Sequence, residues 1–248
     1  VFSLTSSIIY IINDIRDVEN DRKHETKKNR PLASGKIKIK TAIYIAILFF
    51  ILDAGLISYL YILSSDFLII IVPLIYLILN VLYSFGLKNK PVIDVVILVS
   101  GFLLRIIYGG LVIDIEVSKW LYLMVIFGSF YLGFGKRRNE IIKNGDKSRE
   151  VLKFYTKEFL DKNMYVALTL AIVSYSLWCV DPITIERAGT NLLFWTIPIV
   201  MIIFQLYSLN FEKDSNGDPI EVLLSDKSLL VSIVIYVLLM FLILYKVI

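Results

Sequence analysis

Long apolar runs separated by short charged segments are the feature that most constrains how this chain can fold. A helix needs roughly 20 mostly apolar residues to cross the hydrocarbon core of a bilayer, which is about 30 Å thick. Eight runs approach this length, at 1–12, 42–63, 67–85, 92–113, 120–135, 164–180, 192–211 and 229–245. The chain is 57% hydrophobic and 19% charged. It is therefore more apolar and less charged than a typical water-soluble domain, as expected for a membrane protein. The pattern predicts an all-α, polytopic membrane helical bundle with eight spans in this chain.

The first run is too short for a complete span, since twelve residues rising about 1.5 Å each cover only about 18 Å. The chain also begins with Val1 rather than methionine. We therefore expect residues 1–12 to be a truncated span. A cleaved signal peptide is not expected, because acidic residues and not a small-residue cleavage site follow this run.

The basic residues are concentrated on alternate sides of the predicted spans. Of the 26 lysines and arginines, 22 fall in four segments, at 16–40, 86–91, 136–162 and 211–227. The opposite connections hold only Lys119 and Arg187. The positive-inside rule then places the four segments in the cytoplasm and Trp120, Trp178 and Trp195 at the outer interface. Because these charges occur in short blocks between apolar runs, nucleic acid is not expected as a partner.

An acidic stripe follows the first span. Asn13, Asp17 and Asp21 are spaced i, i+4 and i+8, so they share one face of a continuing helix, and Asp14 lies one position away. Oxygen ligands grouped in this way suit Mg²⁺, which proteins commonly hold with one or two carboxylates and substrate phosphates. These four residues are therefore the candidate metal ligands. The alternative is a solvated polar helix end.

Basic residues come directly after the stripe. They are Arg22, Lys23, Lys27, Lys28 and Arg30, with the single histidine, His24, among them. Cations beside a metal-binding face suit a diphosphate, since they neutralise the oxygens that the metal leaves uncovered. The candidate substrate ligands are Arg22, His24, Lys27 and Arg30. The alternative is that these charges serve topology or contact anionic lipid, and that His24 is structural.

The segment NDIRDVENDRKHETKKNRPLASGK resembles the first motif of the UbiA superfamily of intramembrane prenyltransferases, which has the pattern NDxxDxxxD and a downstream RP. The extension DRxH…K…RP resembles that of the decaprenyl-phosphate phosphoribosyltransferase branch, with Glu25 where the branch usually has proline. YSFGLKNKPVIDV at 83–95 and GFLLRIIYGGLVI at 101–113 are also similar to that branch. The resemblance extends over most of the chain.

The second long inner segment carries GKRRNE at 135–140, where aromatic-acceptor members of the superfamily carry a second DxxxD. Lys136 and Arg137 suit phosphate oxygens, and Glu140 suits ribose hydroxyls or the metal. Lys136 and Glu140 are thus candidate catalytic residues together with Asp14, Asp17 and Asp21. The alternative is a topological signal with a salt bridge on the helix surface.

Other charged residues lie near or within the spans. Lys88 is a candidate phosphate ligand, although a topological role is an equal alternative. Arg105 lies inside a span and should face a partner in the bundle, where it is a candidate substrate ligand. Asp94 starts a span, which favours a structural role at a helix N-terminus. Asp214 and Asp218 also form a DxxxD, but they occupy a turn-like segment and are not interpreted as catalytic.

The resemblance implies a nine-helix fold in the full-length family member, so we expect residues 1–248 to form a single integral-membrane catalytic domain without its N-terminal helix. We expect the protein in the cell membrane, and the charge asymmetry predicts that the site loops face the cytoplasm. The resemblance also implies Mg²⁺-dependent transfer of phosphoribose from 5-phosphoribosyl 1-diphosphate to a polyprenyl phosphate. One alternative is a UbiA-type prenyltransferase acting on an aromatic or other acceptor. The other is a non-enzymatic membrane transporter, for which repeated halves and charged, interrupted spans would be typical.

The charge asymmetry predicts which side of the membrane each segment faces. Cysteines that replace Lys28 or Asn144, in a chain with Cys179 changed to serine, should react with an impermeant reagent only when the inner face is accessible. A cysteine that replaces Lys119 should react in intact cells and serves as the control. Labelling at either of the first two positions from outside intact cells would overturn the orientation.

Overall fold

The computed structural model of the chain describes residues 1–23, 27–144, 149–212 and 219–245, and in these ranges it contains eleven α-helices and no β-strand. The helices are α1 (Phe2–Arg16), α2 (Val18–Lys23), α3 (Ile39–Ser64), α4 (Leu68–Ser84), α5 (Ile93–Val112), α6 (Lys119–Asn144), α7 (Lys157–Val180), α8 (Pro182–Ala188), α9 (Ile197–Glu212), α10 (Pro219–Ser225) and α11 (Lys227–Leu244). Each of the eight predicted spans coincides with a long helix, so the all-α prediction is confirmed.

Five helical segments of the described chain are long and apolar enough to cross a membrane. They are α3, α5, α7, α11, and residues 192–212, in which a 3-10 turn precedes α9. Of the other three predicted spans, α1 has 15 residues, α4 has 17, and α6 continues into its charged C-terminal part. The apolar window of α3 is almost entirely unburied within the protein. A helix that is apolar all round and exposes that surface is suited to lipid.

The described helices group into two compact units. The first unit comprises residues 1–87 and 104–116, in which α1 packs on α3 and α4. Its apolar core includes Ile69, Val72 and Tyr108. The second unit comprises residues 88–103 and 117–248, and its tightest helix pair is α6 with α7. A single catalytic domain over the whole chain stays a prediction.

Side-chain caps fix where two helices of the second unit begin. The Thr156 hydroxyl accepts a hydrogen bond from the Phe159 backbone N–H at the start of α7. The Asp226 carboxylate does the same for Leu229 at the start of α11. Each cap satisfies one of the amide groups that the first turn of a helix leaves without a partner, which matters most where water is scarce.

Two glycines of α6 allow close packing within the second unit. A Cβ atom at Gly133 would lie 2.7 Å from a methyl carbon of Val95. A Cβ atom at Gly135 would lie 2.8 Å from the ring of Phe211 and 3.3 Å from the sulfur of Met164. Both of these neighbours of Gly135 are buried, so neither can move into open space. The glycines therefore allow three parts of the second unit to pack closely against α6, beside the GKRRNE segment. These are the start of α5, the Met164 region of α7 and the end of α9.

Replacing Gly135 with alanine should destabilise the protein, since overpacking of a buried contact typically costs about 1–3 kcal/mol. The matched control is Gly128→Ala in the same helix, where a Cβ atom meets nothing within 4 Å and alanine is the better helix former. The measurement is the midpoint of thermal unfolding in detergent. Equal midpoints for the two variants would show that Gly135 is not a required close contact.

Candidate functional site

The acidic stripe lies across the junction of α1 and α2 in the first unit. The Asp17 backbone N–H donates to the Asn13 carbonyl at 2.8 Å, and the Asp21 N–H donates to the Asp17 carbonyl at 2.8 Å. Helical hydrogen bonding thus continues through Asp17, although its backbone departs from the regular helix at this point. Asn13, Asp17 and Asp21 consequently stay in the i, i+4, i+8 relation that the sequence predicts.

The guanidinium of Arg30 joins two of these carboxylates. Its Nη1 atom lies 2.9 Å from Asp14 Oδ1 and 2.9 Å from Asp21 Oδ2. Because both oxygens contact one nitrogen, they are at most twice that distance apart, 5.8 Å. The Asp21 carboxylate is almost completely buried, whereas Arg30 is substantially exposed. The two aspartates therefore already converge on a single cation.

The electrostatics of Asp14 reflect this crowding. Partial burial raises its pKa above the usual value, and the neighbouring Asp21 and Asp17 charges add to that increase. The Arg30 guanidinium opposes the increase by its charge and its hydrogen bond. Three acidic groups that repel one another, balanced in part by one arginine, form a site that gains stability when a further cation binds.

The donor set has the chemistry that a magnesium ion requires. Two carboxylates that converge on one point supply hard oxygen ligands, and Mg²⁺ needs only one or two from the protein when substrate phosphates supply others. In the described part of the chain, no group of three or more acidic, histidine or cysteine side chains is gathered tightly enough to hold a metal ion. Asp14 and Asp21 therefore fit the ion as a pair, with Arg30 now lying between them.

The structure describes the remaining predicted ligands that follow the acidic stripe to different extents. Arg22 forms an exposed pair with Glu19 at 2.8 Å, and its Nε donates to the Ala33 carbonyl at 3.3 Å. The backbone of Lys27 forms a 3-10 turn, and its side chain lies outside the described residues. His24 lies outside them altogether, as do Asp214 and Asp218.

Arg105 has the polar partners expected for a charge within a span. In the first unit its Nη2 donates to Ser6 Oγ at 3.1 Å and to Tyr76 Oη at 3.0 Å. Its guanidinium carbon also lies 5.6 Å from the centre of the Tyr76 ring, within range of a cation–π contact. The hydroxyls and the ring together lessen the cost of a cation at this depth.

The second predicted segment lies on α6 in the second unit. Lys136 is exposed, and Glu140 keeps 15% of its side chain accessible. Arg137 is placed differently from the expectation, since its side chain is only 1% exposed and faces the protein interior. Its Nη1 donates to Glu140 Oε2 at 2.9 Å, and Arg149 Nε approaches the same oxygen at 3.5 Å. Lys136 and Glu140 remain accessible to a substrate, whereas Arg137 is buried and donates a hydrogen bond to Glu140.

Asp94 is the partner that encloses Arg137. Asp94 Oδ2 accepts a hydrogen bond from Arg137 Nε at 2.6 Å, and Asp94 Oδ1 accepts one from the Tyr155 hydroxyl at 2.6 Å. Asp94 lies in the first turn of α5, as the sequence predicts, and its carboxylate is fully buried in this network. Burial and the bond to Asp94 raise the pKa of Tyr155 far above its usual value.

Tyr155 and the contacts of Asp94 are two features of this site that the sequence does not predict. No motif or regular spacing around Tyr155 indicates that its hydroxyl takes part in a buried network. An acidic residue at the start of an apolar run did carry a signal, because an ionisable group near a membrane span is by default a functional candidate. Lys88, another candidate, is partly buried in the 3-10 turn Leu87–Asn89. Its side chain is not free, because it takes part in a polar or electrostatic interaction.

Comparison with known proteins finds one matching family and several relatives that share the same name. The model of the UbiA prenyltransferase family matches residues 1–225. A protein of Corynebacterium glutamicum named decaprenyl-phosphate phosphoribosyltransferase is 36% identical, over 92% of this chain and 69% of the relative. Proteins of the same name from Mycolicibacterium smegmatis and Mycobacterium tuberculosis are 35% and 30% identical, over 92% of this chain and 73% and 74% of the relatives.

Proposed function

We propose that this chain, which belongs to the UbiA prenyltransferase family, transfers phosphoribose from 5-phosphoribosyl 1-diphosphate to a polyprenyl phosphate. As a member of this family it is an enzyme, and its apolar helices make it a multi-pass membrane protein. The observation that carries the proposal is the similarity, over 92% of the chain, to proteins named decaprenyl-phosphate phosphoribosyltransferase. The charge asymmetry supports a cytoplasmic position for both candidate segments.

The acidic stripe and the basic residues that follow it form the first segment, which is proposed to bind the diphosphate of the donor. Enzymes of this family generally use Mg²⁺, and Asp14 and Asp21, with Asp17 and Asn13 on the same helix face, would hold that ion. When bound, the ion neutralises diphosphate oxygens and so stabilises the leaving group. Arg30 already contacts both aspartates, so it is positioned to neutralise an oxygen that the ion leaves uncovered. Arg22, His24 and Lys27 are proposed to do the same from the following turn.

The second segment is proposed to distinguish the donor. A prenyl diphosphate has only its diphosphate to neutralise, and the first segment alone does not discriminate it from a phosphoribosyl donor. Phosphoribosyl diphosphate adds a 5-phosphate and two ribose hydroxyls. The exposed ammonium of Lys136 suits the phosphate, and the accessible carboxylate of Glu140 suits the hydroxyls. Lys88 and Arg105 are proposed to contact further phosphate oxygens.

The proposed reaction exchanges one bond at the anomeric carbon of ribose. An oxygen of the lipid phosphate forms a bond to C1 while the bond from C1 to the diphosphate oxygen breaks, and the diphosphate departs with the bonding electrons. Charge accumulates on the leaving group, and the ring carbon becomes positively charged at the transition state. Fixed cations near the diphosphate and a fixed carboxylate near the ribose accordingly lower the barrier by position and electrostatics.

Two alternatives were open from the sequence. Because the chain belongs to a family of enzymes, a non-enzymatic transporter is no longer supported. Prenyl transfer to an aromatic or other acceptor remains the competing outcome of an activity test. The absence of a second DxxxD in the segment 136–162 argues against the aromatic acceptors.

The metal assignment predicts that Asp17→Asn and Asp21→Asn each abolish turnover while the protein remains folded in detergent. Both changes remove a charge from the stripe but keep the side-chain shape. Activity is measured in membranes with Mg²⁺ and with EDTA. The matched control is Glu19→Gln, an acidic residue of the same segment that points to solvent and should keep most of its activity. Equal activity in EDTA and Mg²⁺, or wild-type turnover by both asparagine variants, would contradict the assignment.

The donor assignment predicts that membranes containing the full-length protein transfer label from 5-phosphoribosyl 1-diphosphate to polyprenyl phosphate. Glu140→Gln and Lys136→Ala should each reduce that transfer about 10- to 150-fold, as expected when one charge-assisted contact of about 1.5–3 kcal/mol is lost. Lys162→Ala, a lysine of the neighbouring helix α7, is the control for charge alone. Prenylation of an acceptor without ribosyl transfer would overturn the donor assignment and leave the fold intact.

A further inference from the structure

We infer that Asp94 and Tyr155 are positioning residues that hold the Glu140 carboxylate in place through the guanidinium of Arg137. This inference rests on the proposed function, in which Glu140 contacts the ribose of the donor. It assigns to Arg137 a role different from direct phosphate binding. All four side chains belong to the second unit.

The guanidinium of Arg137 is fixed at one edge and directed at the other. Its Nε donates to Asp94 Oδ2 at 2.6 Å, and its Nη1 donates to Glu140 Oε2 at 2.9 Å. A guanidinium is planar and rigid, so fixing the direction of Nε also fixes the direction of Nη1. Asp94 and Arg137 are 0% and 1% exposed, which leaves the pair no room to reorient. The position of Asp94 therefore determines where Arg137 presents its second donor.

Among the described residues, the Glu140 carboxylate is held at Oε2. Oε2 receives Arg137 Nη1 and lies 3.5 Å from Arg149 Nε, while the described residues supply no partner for Oε1. Two cations on one oxygen orient the group and direct the other oxygen away from them. A glutamate side chain otherwise loses substantial rotational entropy when it contacts a ligand, so holding it in advance favours binding.

Tyr155 fixes the other end of the network. A backbone N–H can only donate, so the hydrogen bond of 2.6 Å from the Val92 N–H makes the Tyr155 oxygen an acceptor there. The Tyr155 proton is consequently directed at Asp94 Oδ1. Val92 itself has a φ of 69°, which is rare for a β-branched residue and persists only when the surroundings hold it. The tyrosine thus ties Asp94 to the turn that precedes α5.

Stability alone does not account for this arrangement. A buried ion pair often contributes less to folding than apolar side chains of the same volume, because both charges lose their hydration. What apolar side chains do not supply is direction. The network extends from the Val92 turn through two fully buried charges to a partly exposed carboxylate, and that carboxylate is the group proposed to contact the substrate.

The test compares Asp94→Asn and Tyr155→Phe in the full-length protein in membranes. Asp94→Asn should lower kcat/KM for 5-phosphoribosyl 1-diphosphate about 10- to 100-fold, as removal of a supporting residue behind a ligand group typically does. Tyr155→Phe should lower it about 3- to 10-fold, since it leaves the ion pair in place. The KM for polyprenyl phosphate should not change, because the proposed effect is confined to the ribose contact.

Two matched controls separate this role from general damage to the second unit. Asp161→Asn removes the partner of Arg138, the residue next to Arg137 on α6. Tyr131→Phe removes a buried tyrosine hydroxyl that bonds Ser208 at 2.7 Å. Both should keep kcat/KM within about twofold of wild type. A loss in either control as large as in its matched variant would overturn the inference.

Coupling to Glu140 is the decisive measurement. If Asp94 acts through Glu140, Asp94→Asn should cost less than about twofold once Glu140→Gln is already present. An equal loss in both backgrounds would overturn the inference and leave the donor assignment standing. Full transfer by Glu140→Gln alone would overturn the donor role of Glu140 and the inference with it. Should Asp94→Asn fail to accumulate, Tyr155→Phe in the two backgrounds decides the question in the same way.

Discussion

A bilayer offers no water to backbone or charged groups, and this constraint determines where polar chemistry can occur in the chain. Backbone groups in the spans are satisfied within helices, so the apolar runs that the structure describes are helical. The acidic stripe follows the first apolar run, and the GKRRNE segment begins where the apolar part of α6 ends. Charges that do lie within or against the spans, such as Arg105 and Asp94, have specific partners.

In each of the two candidate segments, charged side chains already contact opposite charges without a substrate. In the first, one guanidinium is shared by Asp14 and Asp21. In the second, Glu140 is shared by two arginines. Charged groups that are already held in place need little reorganisation when a ligand arrives, which is the physical basis of electrostatic catalysis.

The sequence predicted the helices and the helical spacing of the stripe, because both depend on local spacing. Apolar run length determines a span, and i, i+4 spacing determines a helix face, so neither requires knowledge of distant contacts. The surroundings of Arg137 were not predictable in this way. Its partner Asp94 is 43 positions away in the chain, and the Tyr155 hydroxyl that fixes Asp94 comes from a third segment. The separation of Lys136 from Arg137, one exposed and one buried, follows from such contacts and not from the residue types.

The ion pair between Asp94 and Arg137 also constrains how the second unit assembles. The two residues lie on different helices, and Arg137 is the one counter-charge of the buried Asp94 carboxylate among the described residues, whereas Arg137 also pairs with Glu140 on its own helix. Formation of α5 and α6 as separate helices can precede their association, but the Asp94 carboxylate cannot be buried at low cost until α6 brings Arg137 to it. Desolvation of this pair is thus a single cooperative event, and it belongs to the docking of the helices and not to their insertion.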